Sequence, residues 1–86
     1  MIMDILFKSL FHKFVKKQAR GFQLCIEDEI ERINNNPDIG VIKKGDLAGY
    51  MVYKFKFKKE EYLIAYTVHG NRIIFYMIDF IQCCNR

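Results

Sequence analysis

Residues 53–58 read Tyr-Lys-Phe-Lys-Phe-Lys, a strict alternation of aromatic and cationic side chains. A period of two suits an extended strand with one buried and one wet face, because successive side chains leave a strand on opposite sides. Tyr53, Phe55 and Phe57 are therefore expected to face a core, and Lys54, Lys56 and Lys58 to face solvent with their side chains about 7 Å apart. The strand is predicted over residues 50–58. A turn at Lys58–Glu61 leads to a second strand, Tyr62–Val68, and His69-Gly70-Asn71 joins this to a third, Arg72–Ile81. Glycine and asparagine are the residues a tight hairpin requires.

The first half of the chain has a different period. Phe7, Leu10, Phe11 and Phe14 recur at the spacing of an amphipathic helix, predicted over about 5–18. After Gly21, the positions Phe22, Ile26, Ile30 and Ile33 predict a second helix that runs to about Asn34, where Asn34-Asn35-Asn36-Pro37 ends it. The two helices are expected to form an antiparallel hairpin. Glycines 40, 45 and 49 mark residues 38–49 as a connecting loop, with a short extended piece at Val41 and Ile42. The expected fold is α+β: an N-terminal helical hairpin packed on an antiparallel β-meander of three or more strands, with residues 1–86 forming a single domain.

Charge is segregated along the chain. Residues 8–20 carry a local +5, residues 22–39 a local −4 and residues 41–59 again +5, within a net charge of +4. Such patterning points to an anionic partner. Cys25, Cys83 and Cys84 show no metal-ligand spacing and argue against a disulfide scaffold. They fit a reducing cytosol, so a cytoplasmic location without metal or cofactor is expected. Met1–Leu10 reads poorly as a secretory signal, and no apolar run is long enough for a membrane helix, so no membrane partner is expected.

The lysine row is the most informative constellation. Evenly spaced cations on one sheet face can follow a stretched phosphate backbone, and a lysine placed there can act as a general base. The same row also suits plain solvation of an open sheet face or protection of an edge, and the residues leave this open. Tyr50, Tyr53, Tyr62, Tyr66 and Tyr76 are candidates for stacking on bases. His12, on the lysine-rich first helix, and His69, in the hairpin turn, are weaker candidates for acid–base chemistry, and both also suit plain surface positions. Phosphate-binding glycine loops, serine elbows and metal-ligand motifs are absent from the sequence.

The segment Lys43-Lys44-Gly45-Asp46-Leu47-Ala48-Gly49-Tyr50-Met51-Val52-Tyr53-Lys54-Phe55-Lys56 is followed by Tyr62-Leu63-Ile64-Ala65-Tyr66 and preceded by Pro37-Asp38-Ile39-Gly40. Together these resemble the RelE/ParE superfamily of bacterial toxins, over about residues 5–82. The resemblance implies the toxin of a type II toxin–antitoxin pair, with a small cognate antitoxin as partner. In the RelE-like branch it implies a metal-independent endoribonuclease that cuts messenger RNA on the ribosome, using the ribose 2′-hydroxyl as nucleophile. By the same resemblance Lys54, Lys56 and Arg86 are expected to be catalytic. Lys43, Lys44, Lys58, Tyr53 and Tyr66 are expected to contact RNA. The family's second-strand arginine is replaced by Leu63, and of its C-terminal His/Arg/Tyr residues only Arg86 has a counterpart. A second reading therefore stands beside the first: a toxin-fold protein that acts by binding an antitoxin, or a target such as DNA gyrase, without cutting RNA.

Overall fold

The computed structural model describes residues 4–42 and 49–81. The elements in chain order are β1 (Asp4–Phe7), α1 (Ser9–Lys16), α2 (Arg20–Asn35), a 3₁₀ turn (Pro37–Ile39), β2 (Val41–Ile42), β3 (Met51–Phe57), β4 (Glu60–His69) and β5 (Arg72–Ile81). They form a five-stranded sheet of order β1-β5-β4-β3-β2. Two helices cover one face of it.

The three predicted strands are present as an antiparallel meander, and Val41 and Ile42 pair with β3 as an edge strand. The sheet is nevertheless mixed, because β1 lies parallel to β5, with Asp4 opposite Arg72 and Phe7 opposite Phe75. The predicted first helix thus begins four residues late. Asp4 N–H donates to the Asn71 carbonyl at 2.8 Å and Lys8 N–H to the Phe75 carbonyl at 2.9 Å, so the ladder satisfies backbone groups that a frayed first helical turn would leave open. Phe7 stacks on Phe75 with ring centroids 5.5 Å apart and on Phe11 at 5.2 Å. This aromatic trio outweighs the local helical period.

The shorter α1 shows its Phe11, Phe14 and Val15 side to the core, whereas Leu10 is 66% exposed. Its last carbonyls are closed by side chains: Gln18 Nε2 donates to Phe14 O and Gln23 Nε2 to Val15 O, both at 2.9 Å. Gly21 lies inside the first turn of α2 rather than before the helix. Helix α2 buries Phe22, Ile26 and Ile33 against β3, β4 and β5, where Phe55, Tyr62, Ile64, Tyr66, Ile73, Phe75 and Ile78 complete one core.

Two backbone features set the other face. Tyr66 pairs with Phe75 but Ala65 pairs with Met77, so Tyr76 is an extra residue on β5. This bulge switches the inward positions from Ile73 and Phe75 to Ile78 and leaves Tyr76 and Met77 on the open side. Between β3 and β4, Lys58 adopts φ 60° in a two-residue turn. Among the described residues no helix is long and apolar enough to cross a membrane.

Candidate functional site

Lys54 and Lys56 are exposed on the sheet face opposite the helices, as the alternation along β3 requires. Across the ladder Lys54 sits opposite Leu63, and Leu63 opposite Asp79. Lys56 sits opposite Glu61, itself opposite Ile81. Each lysine therefore has an apolar or acidic neighbour on β4, and no arginine stands beside either of them in the β3–β4 ladder.

Lys58 leaves this row. Its positive φ turns the chain, and Nζ lies 5.5 Å from the centroid of the Phe57 ring, which itself stacks on Phe22 of α2 at 4.6 Å. The expected row of three amines on one face is a pair. The turn must reverse the chain within two residues, so the alternation stops at Phe57.

The expected tyrosine contacts are also corrected. Tyr66 is fully buried; its hydroxyl donates to the Pro37 carbonyl at 2.7 Å and accepts from the Gly40 N–H at 3.1 Å. It cannot meet RNA without unfolding the core. Tyr53 points to the helix side and donates a 2.6 Å hydrogen bond to Glu29. Burial and that bond push its hydroxyl pKa up to about 12. Burial likewise raises Tyr62, whose hydroxyl donates to Glu60 at 3.0 Å.

The tyrosines on the lysine face are Tyr50 and Tyr76. They meet edge to face with centroids 4.9 Å apart, and Lys8 Nζ lies 5.8 Å from the centroid of the Tyr76 ring. Together with Val52, Leu63, Ala65 and Met77 they line a hollow of about 550 Å³, rimmed by Lys8, Leu10 and Asp79. The sequence carries no signal for the bulge beside Tyr76: residues 73–78, Ile-Ile-Phe-Tyr-Met-Ile, are apolar throughout, so the switch of faces shows only in the strand register.

His69 is remote from this face's lysines. It exchanges a 3.1 Å hydrogen bond with Thr67 at the far end of β4, six residues from Leu63, which is about 20 Å along a strand. His12 is exposed on α1. Lys43, Lys44, Cys83, Cys84 and Arg86 lie outside the described residues. Among those described, no group of three or more His, Cys, Asp or Glu side chains is placed to hold a metal.

Known structures share this architecture. A chain of the intact E. coli RelBE toxin–antitoxin complex superposes with a TM-score of 0.72 at 14% identity, covering 94% of this chain and 99% of that one. A chain of the RelBE2 complex from Mycobacterium tuberculosis gives 0.75 at 12% identity, covering 94% and 100%. The YoeB/ParE toxin from Agrobacterium tumefaciens gives 0.64 at 18% identity, covering 93% and 100%. At these identities the likeness establishes the RelE/ParE fold. No curated protein sequence matches the chain. A family model does: residues 5–85 match the ParE-like toxin of type II bacterial toxin–antitoxin systems. The chain belongs to that family of ParE-like toxins.

Proposed function

We propose that this toxin acts on messenger RNA at the ribosome as a metal-independent endoribonuclease, with Lys54 and Lys56 as its catalytic pair. The observation that carries this reading is their placement: two exposed amines, two residues apart on one sheet face, beside an open hollow with two tyrosine rings. In the proposed reaction one amine, unprotonated, takes the proton of a ribose 2′-hydroxyl. The 2′-oxygen attacks the adjacent phosphorus and the bond to the 5′-oxygen breaks. The products are a 2′,3′-cyclic phosphate and a 5′-hydroxyl, the latter protonated by a second acid, for which Arg86 is the candidate. The other lysine, as an ammonium, lies against the charge that builds on the non-bridging oxygens.

A small antitoxin is the proposed partner. Two of the similar structures are toxin–antitoxin complexes, and a basic face beside an apolar hollow suits an acidic, amphipathic segment.

Induction of the toxin without its antitoxin, followed by mapping of transcript ends, tests the reading. Codon-spaced cuts that disappear in Lys54→Ala and Lys56→Ala support it; full cutting by both variants overturns it. One observation favours the alternative of binding without cleavage: Leu63 and Glu61 stand opposite the two lysines, where a second cation would be expected to steady a phosphorane. Growth arrest with intact transcripts would establish that alternative.

A further inference from the structure

We infer that the hollow beside Lys54 is a nucleobase site that takes an unpaired guanine; this rests on the RNA reading of the lysine face. Its floor is apolar, formed by the buried Val52 and Ala65 with Leu63 beside them. Its volume of about 550 Å³ lies within the range of small-ligand sites. Tyr50 and Tyr76, which meet edge to face, both line it and supply the aromatic surface on which an unpaired base stacks.

The polar groups at the rim choose the occupant. Lys8 stands beside Tyr76, and Lys54 lies two ladder steps from Asp79, across Leu63, a backbone separation of about 10 Å. Both are placed for phosphates on either side of a bound nucleotide. Asp79 is the acceptor on that rim. Its Oδ1 accepts from the Phe80 N–H at 3.0 Å, which steadies the carboxylate. An unpaired base shows its Watson–Crick edge. Guanine alone offers a carboxylate two adjacent donors there, N1–H and the N2 amino group, whereas adenine and cytosine offer one amino group and uracil one N–H. A carboxylate repels the acceptors that face it from the other bases. The β5 bulge builds the site by placing Tyr76 and Met77 together on the open face.

The test is titration of the purified toxin with guanosine, adenosine, cytidine and uridine 5′-monophosphates, followed by the NMR signals of the tyrosine rings. Guanosine monophosphate is expected to shift Tyr50 and Tyr76 and to bind best. Asp79→Asn should weaken it at least about fivefold, as loss of a paired two-bond contact does, and bring it level with adenosine monophosphate. Tyr76→Ala should weaken all four nucleotides, while Tyr76→Phe, which keeps the ring, should not. An unshifted pair of tyrosines, an equal response to the four nucleotides, or an Asp79→Asn variant that keeps its guanine preference would each overturn the base site. The dependence of RNA cuts on Lys54 and Lys56 is read separately from transcript ends. Cuts without nucleotide selectivity would sink the base site alone, and selectivity without cuts would sink cleavage alone.

Discussion

The hydroxyl of Tyr66 ties the sheet to the segment after α2, donating to the Pro37 carbonyl at 2.7 Å and accepting from the Gly40 N–H at 3.1 Å. A Cβ at Gly40 would lie 2.6 Å from that oxygen. Tyr66→Phe should therefore cost about 1–2 kcal/mol, because it leaves two partly buried backbone groups without their partner. Gly40→Ala should cost about as much through crowding. In the double variant the Oη that Gly40→Ala crowds is gone, so the two losses should fall short of their sum. Thermal unfolding of the four proteins checks this; strict additivity would show that the two residues are not coupled.

Gly21 sits in the first turn of α2, where an added Cβ meets nothing within 4 Å and φ is not in the left-handed region. Gly21→Ala should stabilise the protein by about 0.5–1 kcal/mol, by removing unfolded-chain freedom and improving helix propensity. Calorimetry should show the melting temperature rise by a few degrees, at about 4–8 °C per kcal/mol for a domain of this size.

Lys58 holds φ 60°, which costs a side-chain-bearing residue about 1 kcal/mol. Lys58→Gly should recover about that amount. Because Nζ lies over Phe57 on the helix side, the variant should leave RNA-directed toxicity as it was. Melting curves measured beside growth assays decide the matter: a stabilised but harmless Lys58→Gly would return this lysine to the RNA surface.

Local instructions are legible in this sequence and distant ones are not. The alternation at 53–57 declares its strand and both faces, since each residue's direction depends only on its neighbours. Strand β1 is not legible in that way. Its four residues become a strand because a partner almost seventy positions later offers an edge, and locally Phe7 reads equally well as a helical position. The lysine row ends one residue sooner than the alternation implies, because alternation carries no information about where a turn must begin. Tyr66 reads as a strand tyrosine like Tyr76. The first shares the inward face of β4 with Tyr62 and Ile64, while the second stands on the open face of β5 beside Met77, which the one-residue bulge turns outward.

Tyr53 supplies a pH-dependent share of stability. Burial first, and the hydrogen bond to Glu29 second, raise its pKa from 10.0 to about 12. Above pH 10 an unfolded chain releases this proton while the folded one retains it. The contribution is thus complete below pH 10 and is lost as pH rises toward 12. Tyr53→Phe should be less stable at neutral pH and should lose stability less steeply between pH 10 and 12. Denaturant unfolding across that window checks the slope; parallel curves for the two proteins would contradict it.

Glu61, directly opposite Lys56, lowers the positive potential of the face that would meet RNA. A cross-strand pair of opposite charges is worth about 0.2–1 kcal/mol, so relieving it changes an affinity by up to about fivefold. Glu61→Gln keeps the shape of the side chain and removes the competing carboxylate. It should tighten binding of a short single-stranded RNA by up to about fivefold at low salt, with the gain shrinking as salt screens the surface. Fluorescence anisotropy with a labelled oligonucleotide, run across a salt series in wild type, Glu61→Gln and Lys56→Ala, reads both effects. Lys56→Ala should move affinity the other way and flatten the salt dependence. Equal binding by all three proteins would remove RNA from this face altogether and leave the lysines as solvated positions on an open sheet.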